Sequence, residues 1–263
     1  MSGAIQVETH QLSCLEVWGG NQHVSALVDL PGLMAWVESA PHEHATGGGD
    51  LHYMSACNHG VVARIALADV SGHGPAVSSV ATKLRDLMRQ FVNYWDQTEF
   101  MRGLNDAFPK DDSELKYASA AILGYYTGSG ELLFTNAGHP PPLWYRVKTQ
   151  TWDFLREDSP QAKQAIEGLP LGLIPGTKYQ QTAVQLEPGD LVVLYTDGLS
   201  EALDAEGREL GMNGILELAR SISIKSPAGT GSALLAAVRA YRHGPANDDE
   251  TLLVVQRRPE SAA

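Results

Sequence analysis

"LHYMSACNHGVVARIALADVSGHGPA", residues 51–76, decides how this chain folds. Leu51–Cys57 and Val61–Val70 are apolar, β-rich runs, and Asn58-His59-Gly60 between them is a turn signal, so the pair reads as a β-hairpin. Beyond it, Val77, Val80, Ala81, Leu84, Leu87, Met88 and Phe91 recur at three- and four-residue steps, which predicts an amphipathic helix. The junction holds Asp69, Val70, Ser71, Gly72, His73 and Gly74. A turn explains the glycines; it does not explain an acid ending a strand that reads as buried.

The same grammar repeats along the chain. Leu12–Trp18 and Leu33–Ser39 read as early strands set apart by Gly-Gly-Asn at 19–21. Residues 41–50, "PHEHATGGGD", are a loop by composition, and a second helix is expected over about Gln97–Phe108. Tyr117–Tyr126 and Glu131–Gly138 form another predicted hairpin, and residues 156–180 are irregular and rich in Gly and Pro. Thr182–Gly198 reads as two strands joined at Glu187-Pro188-Gly189-Asp190. Helices are expected near 212–222 and 229–242, and "DETLLVVQRR" closes the sequence as a strand. Strands arriving as hairpins, with helices grouped between them, predict an α+β domain of antiparallel sheets covered by helices.

Composition narrows the function classes. A formal charge of -12 over 263 residues argues against non-specific binding of nucleic acid or anionic lipid. Two cysteines, Cys14 and Cys57, imply no disulfide framework and fit a reducing compartment. The N-terminus lacks a signal-peptide pattern and no apolar run is long enough to span a bilayer, so a cytoplasmic location is expected.

Four acidic sites share one context. Asp50 opens a strand, Asp69 and Asp197 end strands, and Asp248-Asp249 precede the last one. Each alone is most simply a turn former. Four at strand ends are harder to dismiss, because gathering unpaired carboxylates is costly unless a cation holds them. An all-oxygen set suits Mg²⁺ or Mn²⁺, and two such ions can share a carboxylate and activate a water against a phosphoryl group. Two other chemistries compete with this one. His42 and His44 form an H-x-H pair open to zinc, without the Asp-His continuation of the metallo-β-lactamase pattern. Ser71 sits where a nucleophile elbow would place a serine, followed by Asp197 and His243 in hydrolase order, but Asp69 replaces the elbow's first glycine.

Six motifs, "GGD" (48–50), "ADVSGHG" (68–74), "NAGHPPPLW" (136–144), "LPLGL" (169–173), "LEPGDLVVLYTDGLSEA" (186–202) and "NDDETLLVV" (247–255), together resemble the bacterial SpoIIE-like branch of the PPM (protein phosphatase 2C) superfamily. The resemblance covers about residues 46–256 of a single PPM-type domain and leaves residues 1–45 without an assigned role. It implies a four-layer αββα sandwich of two mainly antiparallel sheets flanked by helices. It also implies hydrolysis of phosphoserine or phosphothreonine on a protein, by a water bridging two Mn²⁺ or Mg²⁺ ions. By position, Asp69 would bridge both metals, Asp50 and the carbonyl of Val70 would complete one, and Asp197 and Asp248 the other. Asp249 would stand behind the ligands. His73 lies two residues beyond the position of the 2C branch's candidate acid histidine, which Ser71 occupies here, so it is read as a supporting residue, with a catalytic role as the alternative. Asn136 and His139 are read as structural, with contact to substrate as the alternative. The substrate implied by analogy is a phosphorylated STAS-type antagonist of an anti-sigma factor in a partner-switching pathway, and the competing reading is a non-catalytic phosphoprotein-binding module of the same fold. Glu250 departs from the family's usual apolar residue, as expected of a locally exposed strand start. No phosphate-gripping basic residue can be placed in the first 45 residues.

Overall fold

A computed structural model describes residues 8–259 apart from 15, 58–59, 73–74, 95, 110–115 and 156–167. Thirteen strands among the described residues make two sheets. The first contains β1 (Glu8–Gln11), β3 (Val24–Leu30), β4 (Leu33–Ala40), β9 (Leu143–Arg146), β10 (Thr151–Phe154), β12 (Leu191–Tyr195) and β13 (Glu250–Arg257), in spatial order β1-β3-β4-β13-β12-β9-β10. The second contains β2 (Val17–Gly20), β5 (Asp50–Cys57), β6 (Val62–Val70), β7 (Ala118–Tyr126), β8 (Glu131–Ala137) and β11 (Thr182–Gln185), in order β11-β8-β7-β6-β5-β2. All ladders are antiparallel except β1 with β3.

The strands are apolar on both faces because both faces are covered. Val37, Ile65, Leu67, Leu123, Leu194 and Leu253 lie fully buried in the layer between the sheets. On the outer face of the second sheet, α1 (Pro75–Gln90) and α2 (Gln97–Asp106) bury Val77, Ala81, Leu84, Met88, Phe100 and Leu104. The predicted periodicity of α1 is the stripe that packs. Asp96 caps α2, accepting from the amides of Thr98 and Glu99. On the other side, α4 (Gly211–Ser221) and α5 (Pro227–Tyr241) cover the first sheet. Helix α5 starts with Ser226 as cap and Pro227 in the first turn, and Gly231 lets it settle onto Trp36, whose ring lies 2.2 Å from where a Cβ would be. The result is the α+β αββα sandwich.

The structure corrects the early strands. Leu12–Trp18 is not one strand: β2 begins at Val17 and runs through Gly19 and Gly20, and Val24–Leu30 is a strand that pattern reading missed. Glycine belongs there because β2 passes so close to β5 that a Cβ on Gly19 would lie 2.3 Å from the His52 carbonyl oxygen. The β9–β10 hairpin was missed as well. Thr182–Gly198 does contain two strands, but they do not pair: β11 belongs to one sheet and β12 to the other, so the Glu187–Asp190 turn crosses between layers.

Glu250 is also corrected. It is buried rather than exposed, and it pairs with Arg242 at the end of α5. An apolar position tolerates a carboxylate here because the guanidinium reaches it. Arg242→Ala should therefore destabilise the protein by about 2 kcal/mol, less than a fully enclosed pair because Arg242 keeps some solvent contact. Chemical denaturation checks this, and Arg242→Ala with Glu250→Leu should recover most of the loss.

Candidate metal centre

Antiparallel pairing brings the acids together. Asp50 opens β5, Asp69 lies near the end of β6, and the register sets them opposite each other, with Ser119 of β7 opposite Asp69 on its other side. Like charges facing across a ladder repel. Asp197 follows β12 directly as the first residue of a one-turn helix, α3 (Asp197–Ser200), and Asp248 precedes β13. Asp69, Asp197 and Asp248, from three separated segments, line a single cleft of about 560 Å³, with Glu201 one helical turn beyond Asp197.

Asp50 does not line the cleft; it is buried behind Asp69. The Thr196 hydroxyl donates to its Oδ2 at 2.8 Å while accepting the Thr251 amide at 3.0 Å, and so ties the ends of the two sheets together. The Val70 carbonyl oxygen and Asp69 Oδ1 lie 2.9 and 3.3 Å from the point where a side chain on Gly49 would begin. Only glycine leaves that cradle open. Asp249 faces away from the cleft: its carboxylate accepts the amides of His42 (2.6 Å), Gly49 (2.5 Å) and, more weakly, Asp50 (3.4 Å). His73 lies outside the described residues.

The electrostatics follow from burial and crowding. Burial, then the charges of Asp197, Asp248 and Asp249, push the Asp69 carboxyl up to about 8. Asp50 is raised by burial and by Asp69, and Asp197 by burial and by Asp248. Glu201 is raised by burial and then by Asp197. Carboxyl groups in this condition ionise together only when a cation joins them. Among the described residues, no three His, Cys, Asp or Glu side chains already converge as a closed metal shell. The acids instead flank an open cleft, and their all-oxygen chemistry, with the Val70 carbonyl beside Asp69, fits Mg²⁺ or Mn²⁺.

The alternative sites are not assembled. His42 lies in a short 3₁₀ turn beside Glu43, without a described third ligand for zinc. Ser71 lines the cleft, but its hydroxyl accepts the Tyr117 amide, while His243 is exposed and absent from the cleft lining.

Sequence reasoning missed a polar pair in the cleft wall. Ser119 Oγ lies 2.7 Å from His139 Nδ1, and both residues line the cleft. Asn136 fixes His139 by accepting its amide and donating to its carbonyl. Burial pushes the His139 imidazole down to about 3. Its folded value lies below the unfolded one, so its contribution to stability is complete above about pH 6.5 and is lost as pH falls toward 3. Between pH 7.5 and pH 5 the wild type should lose about 2 kcal/mol more stability than His139→Asn. Denaturant titrations at the two pH values check this; equal losses would mean that the imidazole titrates normally.

Comparison with known proteins gives the site a context. The family model described as Stage II sporulation protein E (SpoIIE) matches residues 60–258. The phosphoserine phosphatase RsbP of Bacillus subtilis (strain 168) is 27% identical over 142 residues, covering 52% of this chain and 33% of that protein. The phosphoserine phosphatase RsbU of the same organism is 26% identical over 144 residues, covering 54% and 40%. The chain thus matches well under half the length of these curated relatives. The crystal structure of the RsbU and RsbW domains of Rv1364c from Mycobacterium tuberculosis superposes with a TM-score of 0.74 at 28% identity, over 91% of this chain and 64% of that one. The PP2C phosphatase domain of SpoIIE from Bacillus subtilis, with a fragment of its regulatory domain, superposes with a TM-score of 0.69 over 85% and 63%; at 18% identity that is a likeness of fold.

Proposed function

This chain belongs to the SpoIIE family of PPM-type phosphatase domains, and on that premise we propose that it hydrolyses phosphoserine or phosphothreonine on a protein partner. The observation that carries the reading is the convergence of Asp69, Asp197 and Asp248 on one cleft. Two Mn²⁺ or Mg²⁺ ions bound there would supply an activated water and neutralise charge on the phosphoryl group.

The chain's own residues do the positioning. Asp69 would be shared between the ions, Asp50 and the Val70 carbonyl would hold one of them, and Asp197 and Asp248 would hold the other. Asp249 fixes the Gly48–Asp50 turn through its backbone amides. Thr196 keeps Asp50 aimed and locks the two sheet ends at a fixed separation. Glycine at 49 keeps a side chain out of the space between the Val70 carbonyl oxygen and the Asp69 carboxylate.

The physiological substrate we propose is a phosphorylated STAS-type regulator in a partner-switching pathway, on the strength of the likeness to RsbP and RsbU. Turnover should be tested on a phosphoserine peptide and a phosphorylated STAS domain while Mn²⁺ is titrated in. Mn²⁺-dependent phosphate release that EDTA abolishes is the expected result. Tight binding of the phosphoprotein without turnover at saturating Mn²⁺ would move the chain to a binding module.

A further inference from the structure

A phosphoryl dianion entering the cleft faces the carboxyl groups of Asp69, Asp197, Glu201, Glu209 and Asp248. Among the described residues lining that cleft there is no lysine or arginine. Divalent ions held by the aspartates would offset much of their charge, but Glu201 and Glu209 would still repel phosphate oxygens. Retaining the phosphoryl group calls for a cation.

Lys116 supplies one. It stands just before β7, and its neighbour Tyr117 is stitched to the loop that follows Asp69. The Ser71 amide donates to the Tyr117 carbonyl at 2.9 Å, and the Tyr117 amide donates to Ser71 Oγ at 3.2 Å. These two bonds hold the Lys116 backbone against the Asp69–Gly72 segment. Its Nζ lies 3.3 Å from the point where a side chain on Gly72 would begin, and Gly72 itself lines the cleft at a φ of +98°. Glycine at 72 thus serves two ends: it allows the left-handed turn, and it leaves room for an ammonium over the rim.

We propose that Lys116 is a phosphate-binding residue, its ammonium reaching a non-bridging oxygen of the phosphoryl group from beside Gly72 at the edge of the cleft. The proposal rests on the phosphatase reading for the identity of the ligand. It supplies the basic residue that could not be placed in the N-terminal segment, and it places that residue against the loop that follows Asp69. A lysine acts here as a flexible point charge and needs no bidentate geometry, so arginine should substitute in part.

The experiment is calorimetric titration of inorganic phosphate into the full chain in saturating Mg²⁺, for wild type, Lys116→Gln and Lys116→Arg. Losing one charge-assisted hydrogen bond should raise the dissociation constant at least about tenfold in Lys116→Gln, while Lys116→Arg stays within about threefold of wild type. Lys116 is only half-buried, so both variants should keep the wild-type melting temperature. Equal phosphate affinity in wild type and Lys116→Gln would overturn the proposal, as would a wild type that binds no phosphate. Turnover of a phosphoserine peptide by the same wild-type preparation, measured in parallel, reports separately on the phosphatase reading. Where turnover is present, Lys116→Gln should weaken product inhibition by phosphate by the same factor.

Discussion

Asp69→Asn should lower Mn²⁺-dependent phosphoester hydrolysis by about a thousandfold or more, roughly 4 kcal/mol of transition-state stabilisation. The size follows from position. Asp69 stands between Asp50 and Ser119 in the ladder, beside the Val70 carbonyl, and lines the same cleft as Asp197 and Asp248. On the proposed reading Asp69 would serve both ions, and no neighbouring group could replace it. The fold should not suffer, because the substitution removes one of several mutually repelling carboxyl groups and keeps their shape. The metal-free variant is therefore expected to unfold at or above the wild-type denaturant midpoint. Loss of activity with retained stability would place the effect in the chemistry. Activity within tenfold of wild type would remove Asp69 from the centre.

Asp249→Ala should act in the opposite way, through the scaffold. One carboxylate accepts the amides of His42 and Gly49 and lies near that of Asp50, and its Oδ2 comes within 2.2 Å of where a side chain on Gly48 would begin. Truncation leaves those buried amides without partners and opens space under the turn that delivers Asp50. We expect about 4 kcal/mol of destabilisation, from two or more lost bonds to a charged acceptor, and Mn²⁺ affinity weakened by about 10–100-fold. Asp249→Asn retains one acceptor oxygen and should lose about half as much stability. Denaturant unfolding with and without Mn²⁺ separates the two effects. A change below 1 kcal/mol for Asp249→Ala would mean that the turn is held by other contacts.

Much of the fold could be read from the sequence where periodicity and turn chemistry agreed. The β5–β6 and β7–β8 hairpins and the stripe of α1 are local patterns, and the structure keeps them. The failures came where partner identity decides. Nothing in Thr182–Gly198 tells a reader that β11 and β12 go to different sheets, because a turn that crosses layers uses the same residues as one that closes a hairpin. Gly19 and Gly20 looked like a break, yet they sit within a strand, since the reason for glycine is the approach of the His52 carbonyl from β5. Glu250 looked misplaced until Arg242, eight residues earlier, appeared beside it.

The site divides in the same way. Acids at strand ends were visible because Asp beside Gly is conspicuous in apolar sequence. The Ser119–His139 pair was not visible: Ser119 is one polar residue in an apolar strand, and its partner is found only through the β7–β8 ladder and the turn built by Asn136. Glu201 carried a weak signal, four residues after Asp197 and so on the same face of a helical turn. Lys116 carried none, because its relation to Gly72 exists only once β6 and β7 pair.

On the reading developed above, these acids form a two-ion centre around Asp69. Crystals grown with Mn²⁺ and measured at the manganese absorption edge test it most directly. Two anomalous peaks are expected in the cleft, both in contact with the Asp69 carboxylate, one also bound by Asp197 and Asp248. No peak in the cleft, or manganese bound only at sites that leave Asp69 without a metal, would contradict it.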